Sequence, residues 1–179
     1  TLGTNNDTFD NRGGVITGTV FGEEGSDTFW PGATDEVFDG GTGNDMLDFR
    51  GGGAVQVALD GTIDAAGNAE GDSYVSFENL SGSAFGDVLF GSVAGNTIRG
   101  NAGADTISGG GGLDKIIGGS GIDVLTGGAG NDIFIFDRAV HGGDVITDLG
   151  STAGNDDVIR GDASTCGGGL VARVVDAGL

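Results

Sequence analysis

The chain has 179 residues and a formal net charge of −20, from 27 acidic and 7 basic residues. Such a polyanion repels phosphate, which argues against nucleic acid as a partner. With 41 glycines, one proline and the single Cys166, the composition excludes collagen and any intramolecular disulfide. No apolar run approaches the ~18 residues of a membrane-spanning helix, so no membrane span is predicted.

Residues 1–48 form a first set of nine-residue repeats. Copies begin at Gly13, Gly22, Pro31 and Gly40, and Leu2–Asp10 is a degenerate copy. We number the positions of each repeat from one to nine. Position six holds an acid in Asp27 and Asp45, and position eight is apolar. So short a period predicts a solenoid. Because the chain begins inside a repeat, we expect it to be a module of a longer protein.

Residues 49–81 interrupt the period. Val55, Val57 and Leu59 alternate with small or polar residues, as in a half-buried strand, and alternation returns from Val75 to Asn79. Residues 61–72 are predicted to be a longer loop. We interpret the segment as an irregular continuation of the same solenoid.

Residues 82–135 are the main block, with six copies that follow one another directly. Position eight is Leu, Ile or Phe in every copy. The position-six residues are Asp87, Asn96, Asp105, Asp114, Asp123 and Asp132. The regular apolar residues argue against a disordered glycine-rich linker, and the regular acids argue against surplus charge that serves solubility alone.

The pattern changes after Ile135. Residues 136–160 are predicted to be a C-terminal cap, with a turn at Arg138–His141 and closing strands at Asp144–Leu149 and Asp157–Arg160, because an open solenoid end needs covering. Residues 161–179 have weak signals and are predicted to be a tail, ordered in part at best.

Positions seven to nine of each repeat suit a short strand, and the glycine-rich positions one to six suit a turn. Two repeats then complete one coil with a strand on each side, and neighbouring coils pair as parallel strands about 4.8 Å apart. Carboxylates about 5 Å apart repel by roughly 3 kcal/mol at an effective dielectric near 20. The sequence therefore predicts cations between the coils.

Calcium fits this ligand set because it accepts six to eight carboxylate and carbonyl oxygens, whereas Mg²⁺ requires stricter octahedral geometry. With one histidine and one cysteine, the chain lacks the ligands of zinc or copper. We expect each ion to lie between a turn and the turn eighteen residues later. The candidate side-chain ligands are Asp27, Asp45, Asp87, Asn96, Asp105, Asp114, Asp123 and Asp132. The candidate backbone ligands are Gly25, Gly40, Thr42, Gly100, Ala102, Gly103, Gly109, Gly110, Gly111, Gly112, Gly118, Ser120, Gly127 and Ala129.

Four repeats fit the pattern GGxGxDxUx, with U apolar, at every defined position: Gly40–Asp48, Gly109–Ile117, Gly118–Thr126 and Gly127–Ile135. The chain thereby resembles the RTX, or hemolysin-type, calcium-binding nonapeptide family. The resemblance implies an all-β fold, a parallel β-roll (right-handed β-solenoid) with an irregular insertion and a C-terminal cap, which folds on binding several Ca²⁺ ions. It also implies export by type I secretion machinery, a secreted, extracellular or cell-surface location, and a module, monomeric in isolation, that stabilises its parent protein.

Two alternatives stay open. Paired carboxylates can hydrolyse glycosides, but here they recur as a lattice around a single histidine, so we expect no catalysis in this chain itself. The module can instead belong to an adhesin or S-layer protein, or serve as the non-catalytic part of a secreted protease, lipase or epimerase. Trp30 and Tyr74, if exposed, could contact a glycan, although packing at an edge or in the loop is the simpler expectation.

Overall fold

A computed structural model describes residues 1–16, 18–32, 35, 37–61, 66–67, 69, 71–136, 142–150, 155–161 and 171–174. These residues form strands and turns, with no helix among them. The strands are β1 (Thr8–Asp10), β2 (Thr19–Phe21), β3 (Glu24–Gly25), β4 (Thr28–Trp30), β5 (Val37–Asp39), β6 (Thr42–Gly43), β7 (Met46–Asp48), β8 (Val55–Ala58), β9 (Ala66–Gly67), β10 (Ser73–Val75), β11 (Asn79–Ser81), β12 (Val88–Phe90), β13 (Thr97–Ala102), β14 (Thr106–Gly111), β15 (Lys115–Ser120), β16 (Val124–Ala129), β17 (Ile133–Phe136), β18 (Gly142–Ile146), β19 (Val158–Gly161) and β20 (Val171–Val174).

Consecutive strands of the main block alternate between two sheets. The first sheet has the order β1-β4-β7-β11-β13-β15-β17-β19, and every described pairing in it is parallel. The second has the order β20-β18-β16-β14-β12-β8-β9, parallel except for the pairing of β8 with β9. In the first sheet Ile98 lies opposite Ile116, eighteen residues later. The predicted all-β parallel β-roll, with two repeats in each coil, is confirmed.

The core is a row of stacked position-eight side chains between the sheets. Each apolar residue at the middle of a strand points inward, because successive side chains of a strand point to opposite faces. Phe29, Phe38, Leu47, Leu89, Ile98, Ile107, Ile116, Leu125 and Phe134 have no exposed surface. Since each half coil contributes about one such side chain, the core is continuous but thin.

The segment 49–81 joins the two sets of repeats. Strand β11 pairs with β7 on one side and with β13 on the other, while β10 extends a small sheet of order β10-β5-β2. The alternation predicted from Val75 to Asn79 does not form one strand. Ser76 has a φ of 60°, and β10 ends at Val75 whereas β11 begins at Asn79. The predicted loop at residues 61–72 also contains the short strand β9.

Aromatic side chains enlarge the core in this region. Tyr74 is 7 % exposed and stacks on Phe38, with ring centroids 6.0 Å apart. Tyr74 is therefore packed against other residues, as the simpler expectation held, and the alternative that it is an exposed glycan contact is wrong. Trp30 is half-buried; its Nε1–H donates to Asp48 Oδ2 at 2.8 Å, and the guanidinium of Arg12 lies 4.3 Å from its ring centroid.

The C-terminal cap continues both sheets with longer spacings. In the second sheet β18 places Val145 opposite Val124, and in the first sheet β19 places Val158 opposite Ile133. The closing strands begin or end a few residues from their predicted bounds. The predicted turn at Arg138–His141 and most of the tail lie outside the described residues. The described part of the chain contains no helix of the length and apolar character that a membrane crossing requires.

Candidate metal centres

A column of acidic or amide side chains runs along one edge of the first sheet. Each strand of that sheet follows directly after one of its members, which are Asp7, Asp27, Asp45, Glu78, Asn96, Asp114, Asp132 and Asp157. A second column, along the main block and cap of the second sheet, contains Asp87, Asp105, Asp123 and Asp144. All eight side chains predicted as ligands therefore lie in these columns, at most 3 % exposed.

One carboxylate oxygen of each position-six Asp joins neighbouring coils. Asp105 Oδ1 accepts a hydrogen bond from the backbone N–H of Asp87 at 2.8 Å, and Asp123 Oδ1 accepts one from Asp105 at 3.0 Å. In the first column Asp132 Oδ1 accepts from the N–H of Asp114 at 2.9 Å. Charge-assisted bonds of this kind are among the stronger hydrogen bonds in proteins.

The second carboxylate oxygen is buried without a hydrogen-bond donor at five position-six aspartates. These are Asp27, Asp45, Asp105, Asp114 and Asp132. A buried ionised oxygen without a partner costs several kcal/mol or more. Its repetition at equivalent positions indicates an arrangement suited to a cation rather than isolated defects.

Backbone carbonyls meet these oxygens at glycines. A Cβ on Gly109 would collide with Asp114 Oδ2 and with the carbonyl oxygen of Gly127, in the next coil. A Cβ on Gly100 would likewise collide with Asp105 Oδ2 and lie 2.5 Å from the carbonyl oxygen of Gly118. Glycine at position one thus keeps open a space that two oxygens from adjacent coils face.

The other turn carbonyls point in alternating directions. A Cβ on Gly128 would meet the carbonyl oxygen of Gly110, and one on Gly130 would meet that of Gly112, so the carbonyls of positions two and four face the following coil. The position-three carbonyl faces the preceding coil. For example, the carbonyl oxygen of Ser120 accepts a hydrogen bond from the N–H of Gly103, in the preceding coil, at 2.9 Å. Gly128 and Gly130 have φ of 98° and 139°, which glycine adopts readily.

The residues predicted as backbone ligands all lie in these turns. Those of the main block occupy the ends of β13 to β16 or the next residue, and Gly25 and Thr42 lie in the paired strands β3 and β6. Gly40 precedes β6, and a Cβ on it would lie 2.9 Å from Asp45 Oδ2. The structure therefore places the predicted backbone and side-chain oxygens along the same edges.

At four column positions, burial disfavours the ionised form of the aspartate. Burial, followed by the charges of neighbouring aspartates, raises the pKa of Asp105 and of Asp114 from 3.8 to about 7, despite a backbone hydrogen bond to each that lowers it. Burial likewise raises the pKa of Asp45 and of Asp132. A bound divalent cation would favour the charged form instead.

Asp87 and Asn96 differ from the other predicted ligands. Asp87 accepts hydrogen bonds from Ser83 at both carboxylate oxygens, and Asn96 Oδ1 accepts them from Ser92. Their side-chain oxygens are therefore satisfied by the chain itself.

Sequence reasoning missed four column members as candidate ligands, which are Asp7, Glu78, Asp144 and Asp157. Asp144 and Asp157 continue the two columns into the cap, where their Oδ1 atoms each accept an N–H, from Asp123 and from Asp132, at 2.9 Å. Glu78 Oε2 accepts the N–H of Asp45 at 2.8 Å. The signal for the cap residues was an Asp two positions before an apolar residue, in DVI, outside the nine-residue period.

The side-chain and backbone oxygens at these turns are ligands that suit a hard cation. Within the described ranges, no group of three or more His, Cys, Asp or Glu side chains could hold a metal ion. The oxygens that approach each other at Gly100 and Gly109 come instead from one aspartate and one backbone carbonyl of the next coil. Calcium accepts such mixed oxygen sets.

The profile of the RTX calcium-binding nonapeptide repeat matches the chain in four copies, over residues 12–47, 81–116 and 108–138. These ranges cover more than half of the sequence. A search of curated proteins found no match. The nine-residue period, the parallel roll and the profile agree, and the chain belongs to the RTX calcium-binding nonapeptide repeat family.

Proposed function

We propose that this chain is a calcium-dependent folding module, in which Ca²⁺ ions between successive turns hold the roll together. The observation that supports this most directly is the recurrence of buried carboxylate oxygens without donors at Asp27, Asp45, Asp105, Asp114 and Asp132. We define a gap as the space between a turn and the turn stacked on it in the next coil. One ion in the gap after each of these aspartates would satisfy its free oxygen.

The energetics support folding that depends on the ion. Without cations, each column holds several buried carboxylates close together, and the thin core offers little to offset their repulsion. An ion that binds only the folded state adds its binding free energy to folding. In this proposal Asp27, Asp45, Asp105, Asp114, Asp123 and Asp132 supply side-chain oxygens, and positions one to four of the turns supply carbonyls.

We propose further that the module works outside the cell, in a secreted or cell-surface protein that it stabilises after type I secretion. Repeats of this family are typical of secreted proteins and form a non-catalytic structural module. The net charge of −20 supports the same view, because the metal-free chain repels itself and stays unfolded where calcium is scarce.

Isothermal titration with Ca²⁺ tests the binding proposal. Asp105→Asn keeps the size and the Oδ1 atom of the side chain but removes the charge beside Gly118, so we expect the variant to bind at least one ion fewer than the parent chain. Asp60→Asn makes the same charge change at an exposed turn residue, and its ion count should equal that of the parent. An unchanged count and affinity in Asp105→Asn would overturn the proposal.

A further inference from the structure

Two turns of the main block carry serine where the regular repeat has glycine at position two. We call residues 82–87 and 91–96 the serine turns. Their position-six residues are Asp87 and Asn96. Neither residue has a buried side-chain oxygen without a hydrogen-bond donor. Serine at position two and a satisfied position-six oxygen occur together in both turns, which indicates that serine supplies the missing donors.

The first serine turn satisfies its aspartate completely. The N–H of Ser83 donates to Asp87 Oδ2 at 2.6 Å, and its hydroxyl donates to Asp87 Oδ1 at 2.9 Å. The N–H of Val55 reaches the same Oδ1 at 2.8 Å. Ser83 Oγ in turn accepts the N–H of Phe85 at 3.1 Å, which closes the turn locally. Ser83 and Asp87 are each 1 % exposed, so water does not supply these bonds.

The second serine turn repeats the construction with a neutral side chain. The N–H of Ser92 donates to Asn96 Oδ1 at 2.7 Å, and the hydroxyl lies 3.2 Å from the same atom. Ser92 Oγ accepts the N–H of Ala94 at 3.1 Å. Asn96 Nδ2 donates to the carbonyl of Glu78 at 3.2 Å, which fixes the orientation of the amide.

The backbone of the serine turns differs accordingly. The other four turns of the main block, and the turns that begin at Gly22 and Gly40, place position two in the left-handed region, as at Gly110 with φ 103° and even at Asn101 with φ 79°. Ser83 and Ser92 do not adopt positive φ. Their N–H groups point to the position-six oxygen, whereas Asp105 Oδ2 and Asp114 Oδ2 receive no donor.

We infer that Ser83 and Ser92 replace the cation in their turns, so that the gaps after Asp87 and Asn96 hold no calcium. The inference rests on the proposed function, because it concerns which turns take an ion. Calcium needs six to eight oxygen ligands, whereas three hydrogen-bond donors already face the carboxylate of Asp87. The ions then form two groups, one after Asp27 and Asp45 and one from Asp105 onward, joined by a segment closed by hydrogen bonds.

Calcium counts in matched variants test this inference separately from the proposed function. Asp87 and Asp105 lie in the same column and are both 1 % exposed, so Asp87→Asn and Asp105→Asn make the same change in adjacent coils. By isothermal titration of the full chain, we expect Asp105→Asn to lose an ion and Asp87→Asn to keep the parent count. Loss of an ion in both variants would overturn the inference and leave the proposed function standing. An unchanged count in both would overturn the proposed function itself.

A second variant tests the role of serine without touching the carboxylate. Ser83→Gly removes the hydroxyl and allows positive φ at position two, as in the regular turns, so the variant should bind one more ion than the parent. Ser83→Ala, which removes the hydroxyl but disfavours positive φ, is the matched control and should gain none. An unchanged count in Ser83→Gly would contradict the assignment of Ser83 as the group that excludes calcium.

Discussion

At the scale of the residue, the position-six aspartate has two distinct tasks. In Asp114, Oδ1 accepts the N–H of Asn96 at 2.7 Å and thereby fixes one coil against the next. Oδ2 receives no donor and faces the carbonyl of Gly127 across a gap. The hydrogen bond to Oδ1 fixes the carboxylate, so Oδ2 stays buried, where only a cation or a proton can neutralise its charge.

This arrangement predicts a pH dependence for the metal-free chain. The pKa of Asp105 and of Asp114 in the folded state is about 7, against 3.8 for the ordinary side chain. Between those values the folded state holds protons that the unfolded chain has lost, so its stability falls as pH rises through this window. In excess chelator, we therefore expect a weaker β-sheet signal at pH 7.5 than at pH 5.5, measured by far-UV circular dichroism.

The double variant Asp105→Asn/Asp114→Asn is the control for this effect, because amides do not titrate. It should show a smaller difference between the two pH values than the parent chain. Equal β-sheet signals of the parent at pH 5.5 and 7.5 would contradict the electrostatic account.

At the scale of the element, the coil depends on glycine at position one of the turn. Gly109 lies where Asp114 Oδ2 and the carbonyl of Gly127 approach from adjacent coils, and a side chain there would fill the space between them. The first position is therefore constrained by its neighbours rather than by its own backbone angle.

Gly109→Ala should therefore weaken both packing and calcium binding. We expect a loss of about 1–3 kcal/mol in the free energy of unfolding, as for other overpacked sites, and one ion fewer by titration. Gly13 is the matched control, since a Cβ there would have nothing within 4 Å, and Gly13→Ala should change stability by less than about 0.5 kcal/mol. Equal effects of the two substitutions would show that the close neighbours of Gly109 have no special steric role.

The nine-residue period was enough to predict the strands, their parallel pairing and the inward position of Ile116, because periodicity fixes which side chains face inward. It could not find Asp144 and Asp157, which follow Asp123 and Asp132 by 21 and 25 residues. It also could not show that Ser83 closes its turn internally, because that depends on a change of backbone angle. Likewise, the break at Ser76 needs a left-handed conformation that is uncommon outside glycine.

At the scale of the whole molecule, the roll stacks two columns of acids beside one thin core. Hydrogen bonds from backbone N–H groups to Oδ1 atoms, together with the position-eight side chains, define the fold, but they leave the repeated buried charge uncompensated. In the proposed function, calcium between the coils would supply that compensation, so that folding and ion binding would be one equilibrium.

Far-UV circular dichroism of the chelator-treated chain during a Ca²⁺ titration tests this claim most directly. At pH 7.5 we predict a spectrum without β-sheet signal in the chelator, a cooperative gain of that signal as Ca²⁺ is added, and little change with the same concentration of Mg²⁺. A full β-sheet spectrum in the metal-free sample would contradict the account.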